Sequence, residues 1–265
     1  MHTLASSDPW TRLRAHTSAR IALGASGASL PTAEVLRLGL AHAQARDAVH
    51  QPLHMDALQA QLQALPLPLQ LPVLRVQSAA ADRPTYLLRP DWGRHLSAQS
   101  AAELLAQPVS PCDVLCVIGD GLSSIAVERY AVPLLHALFP LLQSQGLRIG
   151  PVVLAQQARV ALGDPIAQAL QAQLVLMLVG ERPGLSSSDS MGAYLTWAPQ
   201  VGTPDAARNC VSNIRDEGLP AGAAAAKLHW LITQAFALRL TGVALKDESQ
   251  TQLQAGSAAV AMPMD

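Results

Sequence analysis

The run Leu174–Val179 constrains this chain more than any other stretch. It is six apolar residues, two of them valines, closed by Gly180. Such a run is short for a helix and reads as a strand buried on both faces. The ten residues that follow open with Glu181 and Arg182 and go on to Pro183, Gly184 and four serines. In open α/β sheets ligands bind where loops leave the carboxyl ends of strands. A polar loop leaving a fully buried strand is therefore the first place to look for a site.

The rest of the second half alternates in kind. Asp113–Ile118, Pro151–Leu154 and Tyr194–Trp197 are further strand candidates. Helical patterns follow Ser124 (with an interruption expected at Pro133) and occupy Asp164–Ala172 and Pro220–Arg239. Strands alternating with helices argue for an α/β fold with a parallel sheet and helices on both faces. Pro199–Gly218 reads as a long loop. The first half reads differently, as helices over Pro31–His50, Asp56–Leu65 and Ala98–Ala106. Between them Pro66, Pro68 and Pro72 are too dense for helix or central strand and suggest a boundary. Tyr86–Arg94 reads as an ordered loop. The chain thus divides into a mainly helical region over 1–108, an α/β core over 109–248 and a disordered tail over 249–265.

Composition excludes several classes. Half of the chain is hydrophobic, 14% is charged and the net charge is −1. No electrostatic footprint for nucleic acid or an anionic membrane follows from that balance. The most apolar long segment, Leu219–Leu245, contains Lys227, His229, Gln234 and Arg239 and reads as a packed helix, not a span. Three cysteines (Cys112, Cys116 and Cys210) form neither a disulfide framework nor a CxxC pair, and fit a reducing cytosol. The N-terminus lacks the basic and apolar regions of a secretory signal.

Familiar catalytic spacings fail one by one. Gly119-x-Gly121-x-x-Ser124 follows a strand and precedes a helix, like a dinucleotide fingerprint, but lacks the third glycine and a ribose-binding acid near Leu154. A tight strand-to-helix turn explains it equally well, although a helix start there would present N–H groups to an anion. Gly121-Leu-Ser123 and Gly184-Leu-Ser186 both lack the second glycine of a nucleophile elbow. No HExxH motif or carboxylate cluster implies a metal. His42, Arg46 and His50 recur on one helical face, which reads as a solvated face or a docking face for a partner. Spacing alone gives no catalytic set, so the chain reads as a binder or as one part of an enzyme.

Several blocks taken in order do carry a resemblance. They are Ser18-Ala-Arg-Ile-Ala-Leu-Gly24, Ala41-His-Ala-Gln-Ala-Arg-Asp-Ala-Val-His50, Tyr86-Leu-Leu-Arg-Pro-Asp91 and Gly121-Leu-Ser123. Gly180-Glu-Arg-Pro-Gly-Leu-Ser186, the loop 189–199 into Trp197-Ala-Pro199, and Asn209-Cys-Val-Ser-Asn-Ile214 complete the set. Together, over residues 8–248, they resemble the small (light) subunit of ethanolamine ammonia-lyase.

That resemblance implies an adenosylcobalamin-dependent lyase converting ethanolamine to acetaldehyde and ammonia. A large subunit binds the substrate, and the small subunit closes over the cofactor with a Rossmann-like core, inactive alone and without catalytic residues of its own. It implies cofactor contacts at Val160, Glu181 and Cys210. Their chemistry suits a corrin ring, whose primary amides a carboxylate can accept and whose edge a valine or cysteine can cover. Two other readings stay open: Arg182 pairing with Glu181 in a purely structural loop, and Cys210 as a reactive thiol instead of a packed contact. No Asp-x-His-x-x-Gly string occurs, so the resemblance implies that the cofactor's own benzimidazole remains the lower cobalt ligand. Some family members carry a longer N-terminal extension associated with bacterial microcompartments. This chain begins near the shared region, so a cytoplasmic complex is expected over packaging. The alternative is a stand-alone nucleotide-binding protein that uses the Gly119–Ser124 turn.

Overall fold

The computed structural model describes residues 10–14, 16–17, 19–66, 71–108 and 110–249. Apart from Ser249, the tail expected to be disordered lies outside them. Six strands form one sheet: β1 (Val73–Gln77), β2 (Cys112–Gly119), β3 (Ile149–Gln156), β4 (Ala172–Gly180), β5 (Met191–Trp197) and β6 (Arg208–Ile214). The helices are α1 (Thr11–Arg14), α2 (Thr32–His50), α3 (Met55–Gln63), α4 (Arg83–Leu88), α5 (Ala98–Leu105), α6 (Ser124–Ser144), α7 (Gly163–Ala169) and α8 (Ala221–Leu238).

The apolar run at 174–179 is β4, with parallel β2 on one side and antiparallel β5 on the other. Its side chains alternate between two cores. Leu174, Leu176 and Leu178 join α6 and α8, while Val175, Met177 and Val179 join α7. β2 divides in the same way, Val114, Cys116 and Ile118 facing one core and Leu115 and Val117 the other. Both faces are covered, which is why these strands are continuously apolar and do not alternate.

The strand order is β1-β3-β2-β4-β5-β6. The pairings β1–β3, β3–β2 and β2–β4 are parallel, and β4–β5 and β5–β6 are antiparallel. The sheet is therefore mixed, which corrects the expectation of a mostly parallel one at its last two strands. Both edge strands differ from the sequence reading. β6 lies within the expected loop 199–218. It has one neighbour and only Arg208, Val211 and Ile214 buried, a spacing of three set by a register shift opposite Met191 and Ala193. β1 directly follows Pro72, whose carbonyl accepts the Val152 N–H at 2.9 Å, and so ties the first half of the chain to the sheet.

α6 also runs through Pro133 instead of stopping there. Interior prolines cost about 3 kcal/mol each. Large buried side chains contribute ~1.5–3 kcal/mol apiece, and this helix buries Val127, Leu134, Leu135, Leu138, Phe139 and Leu142. Pro133, His136 and Pro140 share its exposed stripe, so the carbonyls freed by the prolines face solvent. Among the described helices α6 is also the one long and apolar enough to cross a membrane by length and composition, and half of its most apolar window is buried.

Asp113 clamps the start of β2. Its carboxylate accepts from Arg148 Nε at 3.1 Å, Nη2 at 2.9 Å and the backbone N–H at 2.7 Å. These bonds to Arg148 hold its pKa below the ordinary carboxylate value. The stabilisation is complete at neutral pH and is lost as pH falls through the lowered pKa. Urea unfolding at pH 7 and pH 3 should therefore show a smaller acid destabilisation for Asp113→Asn than for the parent chain.

Candidate functional site

The carboxyl ends of β2, β3 and β4 meet at one edge of the sheet. In the order β3-β2-β4 the crossovers through α6 and α7 lead to opposite sides of β2, and such switch points are where doubly wound sheets bind ligands.

Asp120, just beyond β2, organises this edge. Its buried carboxylate accepts the N–H groups of Gln157 and Ala158, each at 2.9 Å, and lies 3.4 Å from Arg83 Nη1. Burial pushes its pKa up, opposed by those N–H groups and Arg83. Arg83 also donates to the carbonyls of Gly121 at 2.8 Å and Val49 at 2.6 Å, joining the end of α2 to the same edge. The β3 exit loop is thereby fixed, with Gln157 held at φ +55°. Arg159 and Val160 follow immediately.

The turn after β2 explains its own glycines. A Cβ on Gly121, which has φ +57°, would stand 2.2 Å from the Gly180 carbonyl. A Cβ on Gly180 would stand 1.9 Å from the Ser123 carbonyl. The two loops thus touch backbone to backbone, and Leu122 N–H donates to Gly180 O at 2.9 Å. Ser123 and Ser124 are fully buried, their hydroxyls donating to Ser188 O and Gln51 O, both at 2.8 Å. The amino end of α6 is therefore covered by protein, and the nucleotide-binding alternative loses the seat it required. The glycines serve close packing.

Beyond this contact the three expected residues border one trough. It consists of two hollows, of about 150 and 330 Å³, which share Arg159, Val160 and Tyr194 as walls. Glu181 lines the smaller hollow and Cys210 the larger. Glu181 leads the loop after β4, where its N–H donates to Ser190 O at 2.8 Å. Its carboxylate accepts a short bond from the Ser190 hydroxyl and a long contact of 3.3 Å from the Asn213 N–H. The carboxylate rests over Gly192, whose Cβ would lie 3.1 Å from Oε1 and 3.0 Å from the Tyr194 ring. Among the described residues no ion pair joins Arg182 to Glu181, and Arg182 is exposed.

Tyr194 on β5 is the register partner of Cys210 on β6, and their side chains hydrogen-bond. Burial pushes the tyrosine hydroxyl up. The Cys210 side chain is largely exposed, yet the surrounding protein and then the Glu181 charge raise its thiol above the usual 9.0, against the opposing bond to Tyr194. A reactive thiolate is not favoured there. At the floor of the larger hollow Asp164 clamps Arg208 at 2.6 and 2.7 Å, both buried. Among the described residues no group of three His, Cys, Asp or Glu side chains is placed to hold a metal ion. The sequence reading missed Tyr194, Ser190 and Arg159. Arg159 was legible only as the neighbour of Val160.

Residues 7–246 match the family model for the ethanolamine ammonia-lyase light chain (EutC). The chain belongs to the ethanolamine ammonia-lyase light-chain family. Among curated relatives it is similar to an ethanolamine ammonia-lyase small subunit of Azotobacter vinelandii, at 50% identity over 93% of this chain and 91% of the relative. The corresponding protein of Xanthomonas campestris is 51% identical over 93% and 90%. That of Bradyrhizobium diazoefficiens is 52% identical over 91% of each chain.

Of the three cysteines, Cys112 and Cys116 are buried with raised thiol pKa values, leaving Cys210 as the accessible one. Iodoacetamide should label a single cysteine in the native chain, Cys210, at a rate still climbing above pH 9. Peptide mass spectrometry across a pH series reads this directly.

Proposed function

We propose that this chain forms one wall of an adenosylcobalamin site in a heteromeric enzyme that converts ethanolamine to acetaldehyde and ammonia. The convergence of Val160, Glu181 and Cys210 on a trough without a catalytic set is the observation that carries this reading. A large subunit binds ethanolamine and covers the trough. The chain alone is inactive and contributes no catalytic residue.

The residues fit such a ligand. Glu181 is oriented by Ser190 and Asn213 yet keeps lone pairs free for primary amide N–H groups of the corrin edge. Val160 and the Cys210–Tyr194 pair supply the apolar surface between. The chemistry of the bound cofactor is radical rearrangement after cleavage of its cobalt–carbon bond. The side chains of this chain bind, orient and keep water out. The β2-α6-β3-α7-β4 unit supports a Rossmann-like reading of residues 109–248. The free thiols of Cys112, Cys116 and Cys210 favour a cytoplasmic complex, with or without microcompartment packaging.

Residues 1–108 supply the interface with the large subunit on this reading. α2 buries only Ala41 and Ala48, and it exposes Val35, Leu36 and Leu40 at 52%, 68% and 59%. An apolar stripe of that kind marks an association surface. His42, Arg46 and His50 are exposed alongside it.

The test mixes this chain, a large subunit, adenosylcobalamin and ethanolamine and follows the alkylcobalamin absorbance band. Loss of the band only when this chain is present is the expected result; no change with both subunits associated would refute the proposal. Glu181→Ala should weaken cofactor affinity about tenfold or more, the scale of a lost charge-assisted hydrogen bond, while gel filtration shows assembly intact. The double variant Leu36→Glu, Leu40→Glu should abolish co-elution with the large subunit without lowering the Tm of the isolated chain.

A further inference from the structure

Arg159 stands in an unusual position for a cation. Its backbone N–H donates to Gly93 O at 2.8 Å, and its stem packs so closely that a Cβ on Gly93 would lie 2.8 Å from Cγ. Its guanidinium carbon sits 4.3 Å from the centroid of the Tyr86 ring, and that ring is itself fixed by a 3.0 Å bond from its hydroxyl to Ala158 O. Stacking uses the face of a guanidinium and leaves the N–H edge unspent. The Nε of Arg159 is buried and has no hydrogen-bond partner. Elsewhere in the fold Arg83 and Arg208 each meet a carboxylate, as buried or partly buried cations normally do.

Glu181 lines the smaller hollow with Arg159, but no described carboxylate forms an ion pair with this arginine. Arg94 lines the same larger hollow and forms no ion pair with a described residue. The acidic residue of that hollow, Asp205, lies 3.6 Å from Arg208, already its neighbour. Two cations, neither ion-paired with a described residue, therefore border a cavity of about 330 Å³.

We propose that Arg159 and Arg94 form a seat for a phosphate monoanion. This rests on the cobalamin reading, under which the anion is the phosphodiester of the corrinoid's nucleotide tail. That group is the fixed negative charge on a periphery otherwise made of neutral amides, and the guanidinium fork matches its paired oxygens. Glu181 would then receive amide donors in the smaller hollow while Arg159, with Arg94, fixes the tail in the larger one. The lock of Arg159 onto Tyr86 and Gly93 makes it a ready-placed donor.

The experiment titrates the assembled complex with adenosylcobalamin and with adenosylcobinamide, which lacks the phosphate, ribose and benzimidazole. The parent complex should bind the first more tightly. Arg159→Gln should weaken adenosylcobalamin by about ten- to a hundredfold, the range of a charged hydrogen bond pair, and leave adenosylcobinamide unchanged. Arg159→Lys should recover part of the loss, since it keeps the charge without the fork. An equal loss for both corrinoids, or no loss for either, would overturn the phosphate seat while leaving the cobalamin site standing. Binding of neither corrinoid by the parent complex would remove both proposals. Inorganic phosphate protecting the parent but not Arg159→Gln from thermal unfolding, with no discrimination between corrinoids, would reassign the seat to a free anion. The Tm of each isolated variant chain guards against simple misfolding.

Discussion

The edge of the sheet depends on one buried carboxylate. Asp120 holds two consecutive N–H groups of the β3 exit loop and draws Arg83 in from α4. A carboxylate so deeply buried is costly unless its oxygens are satisfied, and here they are satisfied by backbone that must follow one path. Arg159 and Val160 come next along that path, so their position is a consequence of the satisfaction of Asp120. Arg83 also reaches the carbonyls of Gly121 and Val49, and the ends of α2, β2 and β3 are thereby fixed in one network. Such a network is sensitive at every member, because removing one leaves the others buried and unpaired.

The opposite wall is built by different means. Glu181 owes its place to backbone contact: Gly180 lies directly against Ser123, and Gly121 against Gly180. Two antiparallel strands then carry Tyr194 and Cys210 to the trough in register. The parallel half of the sheet supplies the loop residues and the antiparallel half supplies the flat wall. A purely parallel sheet would have no such wall, because each further strand would need a crossover helix beside it.

The central strands were legible because burial on both faces leaves an unbroken apolar signature, as in Leu174–Val179 and Val114–Ile118. Edge strands leave none. Arg208–Ile214 mixes arginine, asparagine, cysteine and serine, and only its pairing with β5 makes it a strand. Family resemblance alone points to Cys210, whose polar setting carries no strand pattern. Pro133 misled for a related reason: a local rule on helix interruption was outweighed by non-local packing of α6 against the sheet and α8. Glycine spacing at 119–121 had two meanings, and sequence alone gives no means of seeing Gly180 across the gap. The unpaired state of Arg159 is likewise a property of what surrounds it, which no spacing encodes.

The left-handed backbone at Gln157 and at Asn213 bears on how a ligand would be received. Both are non-glycine residues at φ +55° and +58°, a conformation that costs free energy, and each sits where a strand ends beside the trough. Gln157 is held there by Asp120, and Asn213 by the Leu219 N–H on its carbonyl and Arg215 on its side chain, both at 2.8 Å. The ordering of these two corners is thus completed when the chain folds. A molecule arriving at the trough meets a surface whose entropy has already been surrendered, so little of its contact energy is diverted into freezing loops.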